Sequence, residues 1–182
     1  GMTFKDILDY QTRMYNYHSG LEATHGFQSS WWTWPLLIRP IWYYKAPDMA
    51  AGMASTISSF GNPAIWWVGI GAYFYLIKRA LKKNSVAIFL LIPIITQLLP
   101  WTQISRAAFI YHFFPILPFV MLGRVLAIKC LVDLGMSQNR VYVYLAIVLI
   151  NFILFYPMVS ALLVPEYYLL GLELLPSWVF WT

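Results

Sequence analysis

The sequence predicts an all-α membrane protein: four transmembrane helices preceded by an amphipathic, interfacial segment on the extracytoplasmic side. Three observations carry this. Of 182 residues, 60% are hydrophobic and only 10% charged, where soluble domains carry about a quarter charged residues. Four apolar stretches after residue 60 approach the length needed to cross a bilayer. The basic residues gather in the loops at one side of those stretches.

Phe4, Ile7, Leu8, Met14, Tyr15 and Tyr17 recur at helical spacing among Lys5, Asp6, Asp9 and Arg13. This predicts a short amphipathic helix lying on a membrane or protein surface. A loop follows to Ser30, and then the run SSWWTWPLLIRPIWYYK, whose rings mark the headgroup level. Pro35 and Pro40 forbid one continuous helix here, so residues 31–45 read as interfacial and partly extended. Residues 1–59 form the extracytoplasmic unit, 60–164 the four-helix transmembrane module and 165–182 an extracytoplasmic aromatic tail.

Asn62 is placed to cap the first span and Pro63 to occupy its first helical position, the span running to about Ile77. The second span covers Val86–Leu99 with Pro93 inside, and the fourth Val141–Val164 with Pro157 inside. The third starts near Ser105, ends before Lys129, and carries Arg106, His112, Pro115 and Pro118. Neither proline can donate to the preceding turn, so this helix should bend in its outer half.

Charge sets the orientation. Lys78, Arg79, Lys82, Lys83, Arg124, Lys129 and Arg140 fall on one side against Asp133 alone, or 7 − 1 = +6. The other side holds Lys5, Arg13, Arg39, Lys45 and Arg106 against Asp6, Asp9, Glu22, Asp48, Glu166 and Glu173, or 5 − 6 = −1. The loops after spans one and three are therefore cytoplasmic, and both termini lie outside a multi-pass cell-membrane protein. No export signal precedes the extracytoplasmic residues 1–59, so the chain is expected to be the tail of a longer protein. The overall charge of +5 brackets apolar spans rather than base-reading side chains, which argues against nucleic-acid binding.

At the outer face, two helix N-termini, Arg39, Arg106 and many aromatic rings would suit an amphiphile with an anionic head. The same arginines could equally snorkel to ordinary headgroups, as Arg124 is expected to do at the cytoplasmic end. His112, Tyr111 and Asn62 are open between packing or capping and ligand contact. His18 and His25 stand without a Cys or carboxylate cluster, so no metal or cofactor is expected. No catalytic constellation is visible.

SSWWTWPLLIRPIWYY, FGNPAIWW, SRAAFIYHFFPILPF and LLPSWVF follow one another in the order found at the C-terminal end of the protein O-mannosyltransferases. The sequence resembles that family's C-terminal four-span module over nearly its whole length. The resemblance implies part of a membrane-embedded C-type glycosyltransferase that moves mannose from polyprenyl-phosphate-mannose to Ser or Thr of an exported protein acceptor. It also implies that the acidic catalytic pair belongs to a missing N-terminal part, leaving this fragment inactive alone. Asn62, Arg106, Tyr111, His112 and Arg39 fall on motif positions, and are carried over as substrate-binding rather than catalytic residues. Residues 1–30 are too short for the sugar-binding-like repeats of eukaryotic members, which implies a bacterial-type member. A non-catalytic scaffold or lipid-phosphate-binding subunit in contact with membrane lipids is the competing reading. A transporter fragment has only Gln97, His112 and Asn151 to line a path.

Overall fold

The computed structural model describes residues 3–20, 24–104 and 106–181. The expected span start at Ser105, like Glu22 in the charge count, lies outside them.

The amphipathic helix forms as α1 (Phe4–Ser19). The Thr3 side chain caps the Asp6 amide while the Asp6 carboxylate accepts from the Thr3 backbone, a reciprocal cap. Those bonds, from the Thr3 amide first and its hydroxyl second, hold the Asp6 carboxyl below the ordinary aspartate range. No residue of α1 is buried.

Four long helices follow: α2 (Pro63–Leu81), α3 (Ser85–Leu98), α4 (Leu117–Asp133) and α5 (Gln138–Ser160). Among the described residues, three stretches are long and apolar enough to cross a membrane: Ser85–Gln103, Ile110–Asp133 and Gln138–Ser160. The 19-residue α2 is central, packing on α3, α4 and α5. Its N-terminus is built as its sequence requires. Asn62 Oδ1 accepts from the Ile65 amide at 3.3 Å, and Pro63 needs no partner in the first turn. α2 and α4 run in the same direction, because Gly69 faces Val120 and Arg124 while Leu76, further along, faces Gly123.

The third span departs from expectation. It is not one bent helix starting before Arg106. The chain passes Arg106 as a loop, Phe109 is extended, Ile110–Ile116 coils as a 3₁₀ helix, and α-helix begins only at Leu117. The prolines explain the boundary. Pro115 falls in the 3₁₀ stretch, and Pro118 occupies the first turn of α4, where a missing N–H leaves no bond unmade.

The fold is also not purely helical. β1 (Ile41–Lys45) pairs antiparallel with β3 (Thr56–Ser59), with the register shifting between Trp42 and Tyr44. β2 (Met53–Ala54) pairs with β4 (Val164–Pro165), and a short α6 (Glu166–Gly171) follows. The fourth helix thus stops at Ser160, four residues before the expected Val164. Its end is fixed by Ala161, left-handed at φ 57°, whose amide donates to Thr56 O at 3.2 Å.

The tryptophans do not simply ring the surface. Trp34 and Trp178 are fully buried, and Trp66 nearly so. Their indole N–H groups donate to loop carbonyls: Trp178 Nε1 to Leu37 O at 2.7 Å, and Trp66 Nε1 to Trp34 O at 3.0 Å, which also accepts from the Leu37 amide. The aromatic segment and tail therefore share one core with the N-terminal end of α2 and the Ile110–Ile116 stretch. Gly61 admits this packing, since a Cβ there would lie 2.3 Å from the Trp66 ring. Gly61→Ala is expected to displace the indole and cost about 1–3 kcal/mol, the range of overpacked cores. A lowered unfolding midpoint in detergent would show it; an unchanged midpoint would mean the ring moves freely.

Candidate functional site

Arg106 stands where two clefts meet. The first, about 430 Å³, lies between the loop before Trp32 and the segment 101–108. Gln28, Ser29, Ser30, Trp31, Trp32 and Trp101 line it beside Arg106, a mixture of hydroxyls, an amide and flat rings. The second, about 650 Å³, separates α1 from residues 99–106 and is walled by Met14, Tyr15, His18, Leu99 and Ile104. Arg106 borders both, half-buried, and has no hydrogen-bond or ion-pair partner among the described residues.

The loop geometry follows from local bonds. Ser29 N donates to Ala108 O at 2.8 Å, tying the two walls of the first cleft together. His25 Nδ1 accepts from the Phe27 amide at 3.1 Å, and its ring stands edge-on to Phe109 at 5.2 Å. Below the cleft floor, the Trp101 ring lies 4.1 Å from the ring of His112, which in turn contacts Tyr111 at 4.4 Å and Trp34 at 6.0 Å.

The five expected site residues are thus only partly brought together. Arg106 lines both clefts, whereas His112 and Tyr111 back the first through Trp101 rather than opening into it. Asn62 is elsewhere and occupied: besides capping α2, its Nδ2 donates to Val148 O of α5 at 2.8 Å. Arg39 borders neither cleft; it is half-buried, with Nε enclosed and unpartnered. Arg106 is not at a helix N-terminus, so no macrodipole reinforces its charge.

Sequence reading missed Gln28, Ser29, Ser30 and Trp101. The serine pair beside a tryptophan run was the available clue. Among the described residues, no carboxylate borders either cleft. Asp48 and Glu166 flank a third cleft with Lys45 and Trp181, and Glu173 is spent accepting from the amides of Phe180 and Trp181 at 2.7 and 3.3 Å. Arg124 does not snorkel to the surface: it is 7% exposed, inside the contact between α2 and α4.

A helical membrane module, with apolar spans below and an aromatic, arginine-bearing pair of clefts above, is the class these features define. The family match makes it particular: residues 3–178 match the C-terminal four TMM region of protein-O-mannosyltransferase, and the chain belongs to that family. The polyprenol-phosphate-mannose–protein mannosyltransferase of Corynebacterium glutamicum is 24% identical over 191 residues, covering 94% of this chain and 36% of that protein. The protein of the same name from Mycobacterium tuberculosis is 27% identical over 194 residues, covering 96% and 37%. The chain therefore spans little more than a third of these relatives. Among solved structures, the Saccharomyces cerevisiae protein O-mannosyltransferase Pmt1-Pmt2 complex bound to the sugar donor matches with a TM-score of 0.73 at 18% identity, over 97% of this chain and 27% of that one. This likeness is one of fold.

Proposed function

We propose that this chain is the C-terminal, donor-binding part of a glycosyltransferase that moves mannose from polyprenyl-phosphate-mannose to Ser or Thr hydroxyls of exported proteins. The observation that carries the donor-binding role is Arg106, without a partner among the described residues, at the junction of a polar and a more apolar cleft. An isoprenoid chain suits the α1 cleft, the phosphodiester suits the guanidinium between the clefts, and the sugar suits the hydroxyl- and tryptophan-lined side. The donor contacts are Arg106 directly and His112 and Tyr111 through Trp101; Asn62 and Arg39 shape the surroundings. The general base comes from a segment outside these 182 residues, in keeping with the absence of a carboxylate along either cleft among the described residues.

A photoreactive polyprenyl phosphate should label α1 or residues 99–106 of the purified chain. Polyprenyl-phosphate-mannose in excess should suppress that labelling, and the neutral polyprenol should not. Equal competition by the neutral alcohol would remove the phosphate site and overturn the reading.

In this reading α2 is a fourth span. Its 19 residues rise ~28 Å at 1.5 Å each, close to the ~30 Å hydrocarbon thickness. Both termini and both clefts are extracytoplasmic. Without Arg124, now placed inside a helix contact, six cations still face Asp133 at the opposite side, or 6 − 1 = +5. With Cys130 replaced by serine, an impermeant thiol reagent added outside cells should label Gln103→Cys and spare Ser85→Cys, both at exposed positions. The reverse pattern would invert the topology.

A further inference from the structure

Arg124 has a different environment from every other cation in the chain. It lies nine residues before Asp133, so it is ~14 Å along the helix from the end of α4 at 1.5 Å per residue. It is 7% exposed, and its Nε is enclosed with no acceptor, as is the hydroxyl of Tyr73 nearby. Gly69 makes room for the guanidinium: a Cβ there would lie 2.6 Å from Nη2. The void beside it, between Trp66, Tyr73, Phe113 and Val120, is about 10 Å³, enough for a water at most and not for a counter-ion.

On its other side Arg124 borders an apolar cleft of about 530 Å³ that runs between α2 and α4 down to Lys78 and Lys82. Gly71, Ala72 and Ala127 on its walls allow close backbone approach, the feature that lets membrane helices associate. A charge held at this depth is costly without a partner, and an opposite charge is the partner that satisfies a guanidinium best. A lipid phosphate belongs at headgroup level, too far from Arg124; a carboxylate on a helix reaches it.

We propose that the α2–α4 cleft receives a membrane-spanning helix of the same polypeptide, from the part absent here, whose Asp or Glu pairs with Arg124 at mid-depth. This rests on the reading of the chain as the C-terminal part of a longer enzyme. Relatives in which the matched region is 36–37% of the length have ample chain to supply such a helix. The contact would lock the module to that preceding part, without touching donor or acceptor.

The test uses the full-length polypeptide in its membrane. A benzophenone amino acid replaces Leu131, which lines the cleft and is 50% exposed, or Ala127 should that variant accumulate poorly. Irradiation should join it to a preceding span that carries an acid within about three turns of the link. Arg124→Glu should then cut the amount of assembled protein at least fivefold, and exchanging the partner acid for arginine in the same polypeptide should restore it. Cross-links to lipid alone, to a separate subunit or to a span without an acid would overturn the proposal, as would failure of the charge exchange to restore assembly. Labelling by polyprenyl phosphate at Arg106 reports separately on the donor-binding reading, so the two can fail independently.

Discussion

Replacing Arg106 by alanine in the full-length polypeptide is expected to reduce the use of donor lipid by roughly 10- to 100-fold. In the proposed role, a phosphodiester at this position would be held by charge-assisted hydrogen bonds, each contributing about 1.5–3 kcal/mol, and ~1.4 kcal/mol is a factor of ten. The structure removes one contribution that the sequence suggested, since the loop at Arg106 carries no helix dipole. It adds another: the side chain has no internal partner among the described residues, so a ligand need not displace an existing bond. Arg106→Lys should recover part of the activity, keeping the charge but losing the planar fork. Arg140, exposed at the opposite end of the bundle, is the control, and its alanine variant should be near neutral. Arg124 cannot serve as that control, being buried between helices. The measurement is transfer rate against donor concentration at matched expression. An Arg106→Ala variant indistinguishable from Arg140→Ala would reduce Arg106 to a headgroup anchor.

The helices were legible because their determinants are local. Asn62 with Pro63, the basic cluster after α2 and the long apolar runs each mark a boundary within a few residues. The third span was misread for a reason that is also local but competitive. Two prolines three residues apart can bend a continuous α-helix or shorten it, and only the packing of Ile110, Phe113 and Ile116 into the core decided for a 3₁₀ entry. The small β pairs escaped notice because the strands are two to five residues long and rest on partners distant in sequence, such as Ala54 with Val164. Tryptophan density alone could not separate surface rings from buried ones. Trp34 and Trp32 sit two apart in the same run, yet one is fully enclosed and the other 58% exposed. The site shows the same division. Arg106 was visible as a charge in an apolar stretch, whereas the cleft around it is made by a tertiary bond, Ser29 N to Ala108 O, that no spacing announces.

Trp34→Ala should be among the most damaging single changes in the chain, costing about 3–5 kcal/mol of stability, the range for emptying a buried aromatic site. Trp34 is fully enclosed, and its ring meets Trp101 edge-on at 5.4 Å. Its Nε1 donates to Ser29 Oγ at 3.0 Å, and its carbonyl accepts from Trp66 Nε1, also at 3.0 Å. It thus supports both Ser29 and Trp101, which line the first cleft, and ties them to α2. Trp34→Phe keeps most of the volume and loses one donor, so about 1 kcal/mol is expected from the hydrogen bond in addition to the smaller ring. Trp32→Ala separates stability from binding: its ring is largely exposed yet borders the same cleft, so it should leave the unfolding midpoint near that of the native chain and weaken donor binding. Unfolding midpoints in detergent should therefore fall in the order native, Trp32→Ala, Trp34→Phe, Trp34→Ala, with donor-lipid affinity reduced in all three variants. A Trp34→Ala protein as stable as Trp32→Ala would mean that the cleft is held by the helices alone, and that the aromatic segment packs onto them without supporting it.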